Sequence, residues 1–312
     1  MYTQMYRKEF SGIGLRMLIS AFIIYGIQIM AQLFLIMVNI EWARNMNIVL
    51  AATMIPLYAF GYPVVFLIME DAGEQRMIRK RRMKTSHFFI AFLMSYTLLM
   101  AGNIIGLAVT FVIGFLKGEP VTNSLNEIVG ESNIWITSIY TVLLAPIFEE
   151  MLFRKILCDR VIKYGQGAAI LLSGLLFGLF HGNFNQFFYA FSIGCFFAFI
   201  YVKTGNIKYT IGLHMMVNFV GSVVGGLLLQ NIDLEHLTPD VLIIFAIYAL
   251  FIYGTIIAGF VLLMLNRSKL KVDEGEIVLE KSQRNQVMLI NVGMILCYIF
   301  FLVMMIFQAV RG

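Results

Sequence analysis

Charged side chains are scarce in this sequence. Lysine, arginine, aspartate and glutamate together make up 13% of the 312 residues, which is about half the share found in soluble domains. Hydrophobic residues make up 60%, and the mean hydropathy is +0.84. No polar stretch is long enough to form a soluble domain of its own. This composition predicts a polytopic membrane protein and excludes an ordinary soluble enzyme.

Cysteine is also rare, and its positions show no pairing pattern. Cys158, Cys195 and Cys297 lie within or beside apolar segments, so we interpret them as small core residues with no disulfide framework. The net charge of +5 is more typical of a topology signal than of nucleic-acid binding. The first apolar run, 17–38, is too long for the core of a cleavable signal peptide. We therefore expect no nucleic-acid partner and no cleaved leader.

Long apolar runs are what the sequence has instead. A membrane-spanning helix needs about 20 predominantly apolar residues, and about nine runs approach that length. The predicted fold class is all-α, a polytopic transmembrane helical bundle of about eight to nine spans. The predicted spans are 17–39, 47–69, 87–116, 134–153, 166–181, 187–202, 209–230, 241–265 and 286–309.

Basic and acidic loops alternate between the predicted spans. Because lysine and arginine collect in cytoplasmic loops, this alternation predicts a multi-pass protein of the cell membrane with its N-terminus and every basic loop in the cytoplasm. The basic clusters are 76–84, 154–163, 203–208 and 267–271. The loops predicted on the other side contain Glu119, Glu127, Glu131, Asp233, Glu235 and Asp240.

Two adjacent carboxylates, Glu149 and Glu150, interrupt the apolar stretch 141–154. A carboxylate at membrane depth is energetically costly, so it is rare and usually functional. On a helix, Glu150 and Arg154 are i, i+4 neighbours and can pair, whereas Glu149 points about 100° away and can face a cavity. A purely structural ion pair explains Glu150 equally well. Pro146 is expected to loosen the helix and to free a backbone carbonyl.

Two later apolar segments each contain a histidine in a spaced pattern, Phe177-x-x-x-His181 and His214-x-x-x-Asn218. His214 and Asn218 share one helix face, and we interpret Phe177 as packing. A lone intramembrane histidine is more often an interhelical hydrogen-bond partner than a catalyst. In combination with Glu149, however, these residues suit water-activated amide hydrolysis, in which a carboxylate or imidazole takes a proton from water and donors meet the oxyanion.

In this order and spacing, the patterns Glu-Glu-x-x-x-Arg, Phe-x-x-x-His and His-x-x-x-Asn resemble those of the CPBP (Abi) family over residues 134–230. This family contains CAAX prenyl endopeptidases and bacteriocin-processing or immunity proteins. The resemblance implies an all-helical bundle of about eight transmembrane helices with a cavity open toward the cytosol. The regions expected are N-terminal transmembrane helices with a basic cytoplasmic loop (1–133), a CPBP-like catalytic core (134–230) and C-terminal transmembrane helices (231–312).

For function, the resemblance implies an intramembrane glutamic endopeptidase that uses no metal and no other cofactor. Glu149 would activate the attacking water with help from His181. His214 and Asn218 would form the oxyanion hole, and Glu150 would pair with the arginine four residues later and orient the site. The expected partners are the lipid bilayer and a membrane-associated peptide or protein substrate.

Three other functions stay open. Glutamate and histidine also ligate zinc, although the metallopeptidase pattern His-Glu-x-x-His is absent. A non-catalytic bacteriocin-immunity or regulatory membrane partner can use the same fold. A transporter or proton relay also uses intramembrane glutamate and histidine, although the sequence contains no pair of broken helices in matching halves.

The predicted span boundaries separate two of the candidate residues. They place Glu149 near one end of its span and His181 at the far end of another. Contact between the two requires that the helix with the glutamates extends to about Tyr164, or that the chain breaks near 181–183 inside the bundle. Irregular backbone at membrane depth is tolerated where it lines a cavity.

Overall fold

The computed structural model describes residues 2–121, 131–230 and 238–311. Over these residues the chain is helical and has no strand, so the predicted all-α transmembrane bundle is confirmed. Eight helices are long and apolar enough to cross a membrane, and a ninth is shorter. Of the predicted loop acids, Glu127, Asp233 and Glu235 lie outside the described residues.

The bounds of the nine helices agree closely with most of the predicted spans. Two short helices, Ile40–Arg44 and Lys281–Met288, lie in the connections. The nine are α1 (Tyr2–Val38), α2 (Met46–Glu70), α3 (Thr85–Lys117), α4 (Ile134–Tyr164), α5 (Gln166–Phe180), α6 (Phe184–Thr204), α7 (Ile207–Leu228), α8 (Pro239–Lys269) and α9 (Val292–Arg311).

The first helix, α1, begins well before the start that hydropathy predicts, because its first turns pack against the end of α4. Glu9 forms an ion pair with Lys163 at 2.8 Å and accepts a hydrogen bond of 2.8 Å from the Tyr164 hydroxyl. Phe10 and Ile13 are fully buried beside this pair. Hydropathy misses this polar start because the partners of its charge lie far along the chain.

The interior of the bundle is centred on α4, α5 and α6. Close packing of α5 on α6 depends on glycine, since Gly174 lies against Cys195 and Gly194 lies against Phe177. Small residues of this kind let helix backbones approach closely inside a membrane. The largest fully buried side chains in this region include Phe153, Arg154, Phe177, Phe197 and Tyr201.

The connection between α5 and α6 is a tight turn over 181–183. Gly182 has φ +65°, a left-handed conformation that favours glycine, and an added Cβ would meet the Tyr25 hydroxyl. Asn183 then caps α6, because its side chain accepts a hydrogen bond of 2.9 Å from the Gln186 N–H. The turn is therefore a defined structure and not a loose loop.

This turn lies within the bundle and not at its end. α3 packs along α6, with Gly102 against Tyr189 and Gly106 against Asn185. The first turn of α6 is therefore level with Gly106. From there α3 continues to Lys117, about 16 Å farther at about 1.5 Å per residue. The chain thus breaks inside the bundle, and α4 runs to Tyr164. The sequence offered these two conditions as alternatives, and the structure has both.

The basic loop between α2 and α3 lies across the end of the bundle where α4 finishes. The Arg76 N–H donates to the Asp159 carbonyl at 2.7 Å, and the Arg81 N–H donates to the Thr204 carbonyl at 2.7 Å. The buried Asp159 carboxylate accepts a hydrogen bond of 2.8 Å from the Tyr201 hydroxyl. These bonds hold the end of α4 in place relative to α6.

Candidate active site

The three sequence patterns converge on one cavity of about 290 Å³ inside the bundle. α4 contributes Glu149, the residue after α5 is His181, and α7 contributes His214 and Asn218. The wall is completed by α2, α3 and α6, so the predicted N-terminal region takes part, and the division into three regions stays a prediction. These three helices contribute Leu50, Met54, Tyr58, Leu99, Gln186, Tyr189 and Ile193.

The two adjacent carboxylates face different surroundings, as the angle of about 100° between helical neighbours requires. The Glu149 side chain lines the cavity and is 21% exposed. The Glu150 side chain is fully buried, and its Oε2 lies 3.1 Å from Nε of Arg154, which is also fully buried. A buried charge without a partner is strongly destabilising, so each member of this pair compensates the charge of the other.

Phe177 lies at the centre of this arrangement. Its ring centroid is 4.5 Å from the guanidinium carbon of Arg154, which is a cation–π distance. The same ring meets both imidazoles edge-on, with centroids 4.9 Å from His181 and 5.7 Å from His214. Phe177 is therefore a packing residue, and its ring connects the buried arginine to both histidines.

His214 bridges the two carboxylates. Its Nδ1 lies 3.1 Å from Oε1 of Glu150, and its Nε2 lies 3.8 Å from Oε2 of Glu149. Beside the Arg154 cation, Glu150 is a carboxylate that can only accept hydrogen bonds. Nδ1 therefore carries a proton and donates a hydrogen bond to Glu150. Nε2 is the ring nitrogen that remains for a ligand in the cavity.

His181 is held by the backbone of its own helix. Its Nδ1 lies 2.8 Å from the Phe177 carbonyl oxygen, which can only accept, so Nδ1 is the protonated nitrogen. The side-chain amide of Asn183 donates to the His181 carbonyl at 2.8 Å and fixes the residue at the turn. In the neutral imidazole, Nε2 then has a lone pair with which it can accept a hydrogen bond in the cavity.

Asn218 is held by a backbone carbonyl of α4. Its Nδ2 donates to the Thr141 carbonyl at 2.8 Å, which leaves one N–H of the amide for a ligand. The α4 backbone here is π-helical over Ile139–Leu144, just before Pro146, and short π segments are frequent at functional sites. The proline thus frees a carbonyl, as the sequence predicts.

Sequence reasoning missed the tyrosines of this cavity. Tyr58, Tyr140 and Tyr189 all line it, and the rings of Tyr58 and Tyr140 stack with centroids 6.5 Å apart and 10° between their planes. The chain has 14 tyrosines, and these three belong to no spaced polar pattern. The sequence contains one weak sign of their role: tyrosine is usual at the ends of membrane spans, whereas these tyrosines lie inside spans.

A metal site is the alternative that glutamate and histidine raise most directly. In the part of the chain that the structure describes, no group of three or more histidine, cysteine, aspartate or glutamate side chains is arranged to hold a metal ion.

Comparison with known proteins gives two matches. Residues 131–220 match the family described as type II CAAX prenyl endopeptidase Rce1-like. A Bacillus subtilis (strain 168) protein named "Putative membrane peptidase YdiL" is 29% identical over 132 residues, which are 42% of this chain and 50% of that protein. The match thus spans half the length of this relative. No solved structure matches the chain significantly.

Proposed function

Because these two matches support the CPBP family for this chain, we propose that the protein is a membrane peptidase, specifically a CAAX protease-like glutamic endopeptidase that needs no metal. It cleaves a membrane-anchored peptide or protein. One observation supports this function above all. Glu149, His181, His214 and Asn218 come from three separate sequence patterns and line one cavity, whereas Glu150 is withdrawn into a buried ion pair.

Glu149 is the general base, since it is the carboxylate of the pair that lines the cavity. It takes a proton from water, and the water oxygen attacks the carbonyl carbon of the scissile peptide bond. Nε2 of His181 accepts a hydrogen bond from the other O–H of this water and so orients it. The proton on Glu149 then passes to the leaving amine nitrogen, so the peptide bond breaks and the carboxylate is restored.

Asn218 and His214 stabilise the oxyanion that forms on the substrate. The N–H of Asn218 that is not bonded to α4 is one donor. Because Nδ1 of His214 is committed to Glu150, His214 donates from Nε2 as the imidazolium, with a carboxylate at 3.1 Å on one side and another at 3.8 Å on the other. Glu150 and Arg154 orient this imidazole.

A cleavage assay in reconstituted vesicles tests this function. The probes are two fluorogenic peptides of the same sequence, one with a C-terminal farnesyl-cysteine motif and one with a saturated acyl anchor. We expect Glu149→Gln to lower cleavage by about 10²-fold or more and Asn218→Ala by about 10²-fold. A chelator is expected to have no effect. His87→Ala is the control, because His87 is exposed at the start of α3.

Each outcome distinguishes one function. Normal cleavage by Glu149→Gln would exclude the glutamic mechanism, and cleavage abolished by the chelator would favour a metallopeptidase. If the wild type cleaves neither probe and host phenotypes are unchanged by Glu149→Gln, a non-catalytic immunity or regulatory partner is favoured. Faster cleavage of the farnesylated probe would define the substrate as a prenylated protein.

The protein resides in the cell membrane with its N-terminus in the cytoplasm. The alternation of charge between loops supports this orientation. The basic loop and the end of α4 also lie at the same end of the bundle. Protease digestion of sealed vesicles checks the orientation, because a cytoplasmic N-terminal tag is cut in inside-out vesicles and protected in right-side-out vesicles.

A further inference from the structure

One carbonyl of α4 lacks a backbone donor. The N–H of Ala145 donates to the Tyr140 carbonyl, five residues earlier, as in a π-helix. The next residue, Pro146, has no N–H. The Ala145 N–H, four residues after Thr141, is bonded to Tyr140, and position 146, five residues after Thr141, has no N–H. The Thr141 carbonyl therefore accepts a hydrogen bond from neither position.

A side chain from α7 takes the place of the missing donor. Nδ2 of Asn218 donates to the Thr141 carbonyl at 2.8 Å. Because a carbonyl oxygen only accepts, this bond selects the NH₂ end of the amide, which cannot flip without losing it. The second N–H of the same nitrogen remains for the cavity that Asn218 shares with Glu149.

We infer that Pro146 is a positioning residue for the oxyanion hole. Because proline has no backbone N–H, the Thr141 carbonyl is free to accept a hydrogen bond from the Asn218 amide. This bond fixes the amide so that its second N–H is available to the substrate. The inference rests on the proposed function, in which Asn218 meets the oxyanion. An N–H at position 146 would compete for the Thr141 carbonyl, and the Asn218 amide would then lose the preorganisation on which oxyanion stabilisation depends.

The first test is Pro146→Ala, measured as kcat and KM in vesicles on the fluorogenic peptide that the wild type cleaves. Alanine is a better helix former than proline, so the variant is expected to fold, and thermal unfolding checks this. We expect kcat to fall about 10-fold or more, toward the loss of about 10²-fold expected for Asn218→Ala, with little change in KM. In the Asn218→Ala background, Pro146→Ala is expected to have no further effect, because the two residues act as one unit.

A second variant separates the missing N–H from the shape of the proline ring. Lactic acid incorporated at position 146 places an ester where alanine has a peptide bond. This backbone has no N–H but also no ring. We expect it to restore most of the kcat that Pro146→Ala loses, because the Thr141 carbonyl is again left to Asn218.

The chain offers a matched control in α2. Pro63 is exposed and follows the π segment Leu57–Gly61 at the same spacing, and the Tyr62 N–H donates five residues back to Leu57. The carbonyl that Pro63 frees is that of Tyr58, which no side chain among the described residues bonds. Pro63→Ala is therefore expected to leave kcat unchanged.

Three results would overturn the positioning role: wild-type kcat in Pro146→Ala, an equal loss in the ester variant, or additive losses in the double variant with Asn218→Ala. Comparison with Glu149→Gln keeps the two proposals apart. If Glu149→Gln abolishes cleavage and Pro146→Ala does not slow it, only the positioning role fails. If the wild type cleaves neither probe, both proposals fail.

Discussion

Nδ1 of His214 lies 3.1 Å from Oε1 of Glu150, so a fully buried carboxylate orients an imidazole that lines the cavity. The charge of this carboxylate is in turn met by Arg154, also at 3.1 Å. The contacts Arg154–Glu150–His214 therefore run from the core of the bundle to the wall of the cavity. A substitution of Arg154 or Glu150 is therefore expected to change the orientation of the His214 imidazole at the cavity wall.

Glu150→Gln is expected to destabilise the protein far more than Glu149→Gln. Both members of the Glu150–Arg154 pair are fully buried, and removal of one leaves an uncompensated charge at a cost of about 3–5 kcal/mol. Thermal unfolding in detergent micelles measures the difference. The double variant Glu150→Gln with Arg154→Met should recover most of the loss, and equal melting temperatures for the two glutamate variants would contradict the prediction.

His181→Ala is expected to lower kcat by about 10²-fold with KM nearly unchanged, because in the proposed mechanism His181 orients the attacking water through Nε2. The readout is steady-state cleavage in vesicles, with His87→Ala as the control. If KM rose and kcat stayed the same, His181 would instead contribute ground-state binding of the substrate.

Gly182→Ala is expected to lower both stability and activity. The left-handed conformation at φ +65° costs an alanine about 1–2 kcal/mol, and its Cβ would meet the Tyr25 hydroxyl. His181 precedes this residue directly, so the position of its imidazole in the cavity should shift with the turn. Gly26→Ala in α1 is the control, because an added Cβ there has no neighbour within 4 Å. Equal melting temperatures for the two variants would argue against a strained turn.

Tyr140→Ala is expected to raise KM and leave kcat nearly unchanged. The ring lines the cavity and stacks on Tyr58, but the proposed mechanism gives it no role in the proton transfers. Its loss should therefore weaken binding of the substrate and of the transition state equally. Cleavage kinetics over a range of peptide concentrations measure this. Tyr253→Ala is the matched control, since Tyr253 is 65% exposed on α8. A fall in kcat alone would assign Tyr140 to the chemistry.

The parts of the site that follow the helical period could be predicted from the sequence. Glu150 with Arg154, and His214 with Asn218, are pairs four residues apart, and that spacing places both members on one helix face. The same reasoning separates Glu149 from Glu150. In the structure Glu150 pairs with Arg154, and His214 and Asn218 line the same cavity, while their catalytic roles stay predictions.

Other parts of the site have no counterpart in residue spacing. The depth at which α5 ends is set by its packing on α6 and by the turn at Gly182. The sequence is apolar both before and after this turn, so hydropathy gives no sign of the depth. The partner of Asn218 is a backbone carbonyl, and Pro146 is the only trace of it in the sequence. The tyrosines of the cavity are brought together by contacts between helices, which a single sequence does not record.

Glu149 and Glu150 are the same chemical group at consecutive positions, and only the phase of α4 distinguishes them. Inserting one residue between Pro146 and Glu149 would leave every side chain present, yet it would rotate each carboxylate by about 100° relative to the proline. The segment between Pro146 and Glu149 is therefore constrained in length as well as in composition.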